Sequence, residues 1–458
     1  VNQNIQIFGL AFLLFILSAF AVFYRLGTPQ AIVFDETYHI PSAQKYLNGV
    51  FFQENHPPLG KLLIALGYLI LYNDNVKGCF LDVDKISEPW PSYINISGYR
   101  ILPAIFGVFL PALFFLVVYL VTERANISFF ASLLLLTDTA MLMQSRIAML
   151  DVFLIFFIIS SLLFFLLLWK KYKLSIIILW GITASCSFSV KYTGLITIVP
   201  MIFMVIIWVT QKNWRKSIVL ITIFGASFLV TFFLIWQIHF GLAQKIIGDK
   251  TYNASTHHIQ AISDANVNLV SRFSIRLIDS IQYHVTYNRG VPNLKLGNPD
   301  EIGSPWYYWV LGGKAINYRW ETNDGIVYKY SYLITNPITW MISLLGVVLS
   351  TSVVISHAFF NFLPNSHLKS SMFIFVGIYW AYIIPFWFIQ RVMYLYHYLP
   401  GMMIGLILFS IVTRLHPISN KKYFLFLLIL IFLMALIVFL LLSPFVYYHE
   451  LTDAEFQM

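Results

Sequence analysis

Eleven apolar runs, each near the length that crosses a bilayer, constrain this chain more than any motif in it. They fall at residues 5–23, 99–121, 127–143, 149–169, 174–190, 194–210, 217–238, 333–355, 371–388, 392–413 and 423–443. About 20 apolar residues span the hydrocarbon core as a helix, whose backbone groups must pair with one another because lipid offers them nothing. Charged residues make up 11% of the 458, against about 25% in an ordinary soluble domain. The expectation is an all-α polytopic membrane protein. No Lys or Arg precedes the first run and no small-residue cleavage site follows it, so it is expected to be a span rather than a cleaved leader. Cys79 falls in an expected loop and Cys186 in an expected span, so both are expected to be free thiols.

Charge placement orients the bundle. With the N-terminus inside, the inner loops hold Arg124, Lys170, Lys171, Lys173, Lys212, Arg215, Lys216, Lys369, Arg414, Lys421 and Lys422 against one acid, Glu123. That places +10 inside and −1 elsewhere, in keeping with the net +9 of the chain. Such a bias is the positive-inside rule, and the reverse orientation would invert it. The basic balance therefore reports topology. The basic residues form no stripe interleaved with stacking aromatics, so nucleic acid is not an expected partner.

In this orientation two long segments, 24–98 and 239–332, both lie on the outer side. In the first, Thr37 to Asn48 and Leu59 to Leu71 read as short helices, the second led by Pro57-Pro58 and too short to span. No inner loop exceeds about 15 residues, which leaves no room for a nucleotide-binding domain. Any activated substrate would come from the membrane itself. A transporter would show inverted repeats and ionisable groups deep in its spans. Here the charges gather at the outer ends.

The residues that could carry chemistry cluster there. Asp35 and Glu36 follow the first span, and carboxylates at a membrane boundary are costly to keep without work to do. Proton abstraction from a hydroxyl needs a carboxylate within hydrogen-bond reach; a solvated loop pair or a helix-start pair is the structural alternative. Adjacent side chains point differently, so one would face the reaction while the other orients a partner. His56 and Lys61 bracket a rigid Pro-Pro turn, and His56 lacks a second histidine four residues on, so no metal site is expected. Arg100, Arg146, Lys191 and Arg391 sit near the outer ends of spans, with Asp138 and Asp151 flanking Arg146. They would suit a phosphate, to which Arg offers a planar fork and Lys a point charge; snorkelling with ordinary ion pairing is the alternative. Tyr394 and His397 crowd a span entrance, and Trp306 and Trp309 form an aromatic patch, either as a sugar platform or as an interfacial belt.

Eight blocks give these residues a common context: VFDETYH (33–39), HPPLGK (56–61), YRILPAIFGVFLP (99–111), QSRIAMLDVFLIFF (144–157), VKYTGL (190–195), SPWYYW (304–309), NPITW (336–340) and RVMYLYHYLP (391–400). In type and order they resemble the protein O-mannosyltransferase family, specifically its bacterial members. The resemblance implies a GT-C glycosyltransferase fold over 1–458, with about 11 transmembrane helices, a first catalytic outer loop at 24–98, a second outer loop at 239–332 and C-terminal helices over 333–458. It implies inverting transfer of mannose from polyprenyl-phosphate-mannose to Ser or Thr hydroxyls of exported proteins. Acting on lipid A, a glycolipid or a cell-wall glycan is the alternative. It further implies Asp35 and Glu36 as catalytic, His56, Lys61, Arg100, Arg146, Lys191, Arg391, Tyr394 and His397 around the donor, and Trp306 and Trp309 toward the acceptor. No cofactor beyond the lipid-linked donor is implied. The setting would be a bacterial inner membrane with the site facing out, and a secretion channel or a homologue as a further partner. Two departures stand out. QENHPP replaces FDVHPP, and SPWYYW replaces SRPWSWP with the loss of one Arg. The β-trefoil module of eukaryotic members is also missing from the second loop.

Overall fold

The computed structural model describes residues 3–72, 95–247, 254–264, 266–322, 324–364, 366–416, 422–452 and 455. Cys79 lies outside them, and Cys186 is a free thiol. The chain enters through α1 (Gln3–Phe23), forms two short helices, α2 (Glu36–Leu47) and α3 (Leu59–Leu71), and returns through α4 (Ser97–Thr122). Next come α5 (Ala125–Leu136), α6 (Thr139–Arg146), α7 (Asp151–Lys170), α8 (Leu174–Val190), α9 (Val199–Thr210) and α10 (Trp214–Leu242). The second long segment carries α11 (Thr256–Ser263), α12 (Leu269–Gly290) and strands β1 (Ile316–Thr322) and β2 (Val327–Leu333). The chain closes with α13 (Pro337–Phe360), α14 (His367–Ile383), α15 (Leu399–Leu415), α16 (Lys422–Tyr447) and β3 (Glu450–Thr452).

Among the described residues, nine helical segments are long and apolar enough to cross a membrane. The expected span at 127–143 is a bent pair, α5 and α6 meeting at 64°. The break has a chemical cause. Asp138 Oδ1 caps α6 by accepting from Met141 N at 2.8 Å, while Oδ2 accepts Trp340 Nε1 at 2.8 Å and Asn336 N at 3.2 Å. The bend thus pins α6 to the start of α13. The expected span at 174–190 is α8, whose 17 residues reach about 25 Å at 1.5 Å per residue, just short of a full crossing. Close helix approach relies on small residues, as is usual in lipid. A Cβ on Gly346 of α13 would run into the backbone of α15 at Gly405, and one on Gly405 into Ser343 of α13.

The expected all-α polytopic bundle is present, and one small sheet accompanies it. β1, β2 and β3 form an antiparallel sheet in that order. The sequence carried a signal for it, since polar and apolar residues alternate over 316–322 and 327–333 around Asp324-Gly325. The two long segments close over the same end of the bundle. Phe51 N donates to Lys245 O at 2.8 Å, Gln53 Nε2 to Asp279 Oδ2 at 3.0 Å, and Arg319 Nη1 to Ile32 O at 3.2 Å.

Candidate active site

The acidic pair is divided by the backbone that precedes it. Phe34 sits in the left-handed region at φ 48°, an uncommon conformation for an aromatic residue that costs of order 1–3 kcal/mol. Its ring is held by Tyr318, stacked at 4.2 Å, and by the edges of Tyr394 and Tyr396. After this turn Glu36 points into the protein and Asp35 stays half-buried at the surface of the cleft. Glu36 is fully buried, and its carboxylate accepts from Arg100 Nε and Nη2, both at 2.7 Å, from Val33 N at 2.9 Å and from Ala148 N at 2.8 Å. Arg100 in turn donates to the carbonyls of Pro29 and Ala31 at 2.9 Å and of Leu26 at 3.4 Å. All five guanidinium donors are engaged inside the protein.

That geometry corrects two expectations. Glu36 has no lone pair left for chemistry and Arg100 no donor left for a phosphate; together they clamp the 26–36 loop onto α4 and the turn before α7. Arg146 is likewise committed. It is 2% exposed, gives Nη1 to the carbonyls of Val22 at 2.6 Å and Tyr24 at 2.5 Å and Nη2 to Arg25 O at 3.1 Å, and lies over the Tyr447 ring. It ties off the unpaired carbonyls at the end of α1, a structural task. Lys191 pairs with both oxygens of Asp151 at 2.8 and 2.9 Å and lies 5.1 Å from the Tyr396 ring centre. It is therefore a neighbour of the cleft rather than a free cation in it.

Asp35 is placed differently. Among the described residues its carboxylate accepts one hydrogen bond, from the Tyr396 hydroxyl to Oδ2 at 3.2 Å, and none at Oδ1. Burial pushes the Asp35 carboxyl up to about 6, opposed by the Lys191 charge and the Tyr396 bond. A carboxylate tuned to that range is suited to accept a proton near neutral pH. Arg391 is a neighbour of Tyr394 and Tyr396. Among the described residues its guanidinium has no hydrogen bond or carboxylate partner, unlike those of Arg100 and Arg146. Its backbone is fixed where the 390–392 segment pairs with Pro292, Asn293 and Leu294. From Arg391 a groove runs past Ile389, Trp387 and Trp306, whose indoles stack at 5.1 Å.

The other expected residues surround this cleft in unequal roles. His397 stacks on Tyr396 at 4.6 Å and on Trp309 at 6.0 Å. Trp309 is 1% exposed and donates Nε1 to Ser304 Oγ at 3.0 Å, so it is a wall and not an open platform, another correction. Lys61 is buried and ion-paired with Glu54. That corrects its assignment as a free phosphate ligand and makes the QENHPP departure conservative, since Glu54 supplies the acid two residues before His56. Burial, with Lys191 nearby, holds the His56 imidazole well below its usual value, so it is neutral. Sequence reasoning passed over Tyr396, the hydroxyl that touches Asp35, and Tyr318, whose hydroxyl accepts from Gln144 at 2.8 Å. Tyr396 lay in a block already singled out; Tyr318 became visible only with the hairpin. Among the described residues no group of three or more His, Cys, Asp or Glu side chains is arranged to hold a metal.

Bundle, break and cleft define the GT-C class of polytopic membrane protein. The fold matches that of the S. cerevisiae protein O-mannosyltransferase Pmt1-Pmt2 complex, solved bound to the sugar donor, with a TM-score of 0.79 over 98% of this chain and 90% of that one; at 14% identity the likeness concerns the fold. The family model for dolichyl-phosphate-mannose-protein mannosyltransferase matches residues 12–251, and that for the C-terminal four TMM region of protein-O-mannosyltransferase matches 281–458. The chain belongs to the protein mannosyltransferase family. It is 30% identical over 206 residues to Protein O-mannosyl-transferase 1 of Danio rerio, covering 43% of this chain and 28% of the relative. It is also 30% identical over 291 residues to Protein O-mannosyl-transferase 2 of the same fish, covering 56% and 37%. The chain thus spans well under half the length of these curated relatives. They and the yeast complex are eukaryotic, so the narrowing to bacterial members does not come from them.

Proposed function

We propose that this protein transfers mannose from polyprenyl-phosphate-mannose to Ser or Thr hydroxyls of polypeptides crossing its membrane, with inversion at C1. The observation that carries this reading is the split acidic pair, with Glu36 saturated, and Asp35 raised toward neutrality beside Tyr396, which also lies near an arginine that is unpaired among the described residues. The acceptor oxygen attacks C1 as Asp35 takes its proton. The bond from C1 to the phosphate oxygen breaks, and its electron pair leaves with the lipid phosphate. That group departs ionised, so it needs a charge to receive it more than an acid, and Arg391 supplies one. The groove from Arg391 past Trp306 and Trp387 suits an isoprenoid chain with its charged head at the guanidinium. Tyr394, His397 and neutral His56 are the groups proposed to meet the sugar. A single displacement needs one carboxylate, whereas retention through a covalent intermediate would need a nucleophile as well.

The same proposal includes a bacterial plasma membrane, with the N-terminus inside and the cleft facing out. The inner-loop charge bias and the resemblance to bacterial members support it. A homologous chain or a secretion channel is the proposed working partner, in keeping with the two-protein yeast complex. The test is purified protein in liposomes with β-mannosyl polyprenyl phosphate and a Ser-containing peptide. An α-mannosyl peptide is expected; a β-linked product, or transfer only to lipid or glycan acceptors, would overturn the reading.

A further inference from the structure

We propose that the free edge of β1 is the docking strand for the acceptor polypeptide, which adds to the sheet in extended form and runs past Asp35; this inference rests on the transferase reading above. Among the described residues the sheet order β1-β2-β3 leaves β1 paired on one side only. Among the described residues, no backbone N–H or C=O of its seven residues bonds to anything on the other side. An unpaired strand edge of about 23 Å is a ready template for another chain, and proteins usually blunt such edges with Pro or Lys. Ile316–Thr322 contains neither, and its two charged residues, Arg319 and Glu321, pair with each other. The opposite edge, β3, is three residues long.

What selects the occupant is where this edge lies. β1 approaches the catalytic loop through side chains and not through its backbone. Tyr318 stacks on Phe34, the residue before Asp35, and Arg319 Nη1 donates to Ile32 O at 3.2 Å. The register shift between Asn317 and Arg319 places Tyr318 in a bulge, and bulges beside active sites re-aim side chains. Here the bulge turns the Tyr318 ring inward while Asn317 and Trp320 stay exposed. An enzyme that modifies hydroxyls in many sequences must recognise something those sequences share. Strand addition reads the main chain, and its period of two presents every second side chain to one face. The occupant is thus an unfolded, extended stretch of polypeptide carrying Ser or Thr, with the hydroxyl on the face toward Asp35.

The experiment is a backbone N-methyl scan of a single-Ser acceptor peptide, one methyl per peptide, with native protein in liposomes and saturating donor. Losing one main-chain hydrogen bond should raise KM about 2- to 10-fold at alternate positions around the Ser and leave the intervening positions near the unmethylated value, with kcat little changed. Methylation that acts only by stiffening the peptide would not alternate. A flat profile, or a loss that falls smoothly with distance from the Ser, overturns strand addition and leaves the transferase reading intact. No transfer to the unmethylated peptide overturns both.

Discussion

Two charged sites lie one residue apart in sequence and behave as opposites. The knot of Glu36, Arg100, Val33 N and Ala148 N is saturated, with every carboxylate lone pair and guanidinium donor used inside the protein. In the cleft, the Asp35 carboxylate has one bond and the Arg391 guanidinium none among the described residues. Burying an ion pair is expensive and becomes stable only when its remaining valences are filled, which is what the knot does. Catalysis needs the reverse, groups held in place by packing but left with valences for a substrate. The difference teaches that position at the end of a span does not make an arginine a ligand. Spare hydrogen-bonding capacity does.

The most severe test of this contrast is Asp35→Asn, which keeps the shape and removes the proton acceptor. Turnover should fall about 10²- to 10⁴-fold with donor affinity and thermal stability retained; full turnover would hand the base to another group. The knot should fail differently. Arg100→Met strands Glu36 as an unpaired buried carboxylate, and breaking a buried pair in this way costs about 3–5 kcal/mol. A large drop in melting temperature or folded yield is expected, and a stable but inactive Arg100→Met would mean that Arg100 meets substrate after all. Next comes Arg391→Lys, which keeps the charge and loses the fork. One charge-assisted hydrogen bond, worth about 1.5–3 kcal/mol, predicts about a 10- to 150-fold loss in kcat/KM at unchanged stability. Wild-type kinetics there would remove Arg391 from the phosphate site.

A smaller effect should appear in pH dependence. Burial raises the Asp35 carboxyl to about 6, and a general base works only when deprotonated, so kcat/KM should rise through about pH 6 and level off above it. Lys191 opposes that upward shift and Asp151 adds to it. Lys191→Met removes the first and leaves the second, so the rise should move to higher pH. An unmoved or acid-shifted profile would show that Lys191 serves the fold alone.

Much of the knot and cleft was legible in sequence, but not their division of labour. The spans follow from hydropathy alone, and the acidic pair, the Pro-Pro turn and the Arg391 block stand out because polar groups are scarce in such a chain. Whether a buried arginine meets a carboxylate or a carbonyl depends on chain reversals far apart in sequence, such as Arg146 reaching Val22 and Tyr24. No local pattern encodes that. The break between α5 and α6 was hidden for the same reason, since Asp138 bends the span to meet Trp340 and Asn336 from across the chain. The hairpin is the opposite case. Its alternation and its Asp-Gly turn were in plain view, a local signal beside the apolar runs that set the all-α bundle.

The mildest prediction probes the tyrosine between the two cleft charges. Tyr396 donates to Asp35 Oδ2 at 3.2 Å, a long bond, while its ring stacks on His397 at 4.6 Å and Tyr394 at 5.5 Å under the Lys191 ammonium at 5.1 Å. Tyr396→Phe removes the hydroxyl and keeps the stack. A single hydrogen bond of about 0.5–1.5 kcal/mol corresponds to about a 2- to 10-fold loss in kcat/KM. The bond lowers the Asp35 carboxyl, so its removal should also move the pH–rate rise upward. Both readouts are needed. A rate loss without the pH shift would mean that the hydroxyl contacts substrate and not the base. A shift without a rate loss above pH 7 would mean that it only tunes Asp35, leaving the contrast between knot and cleft to rest on Asp35 and Arg391.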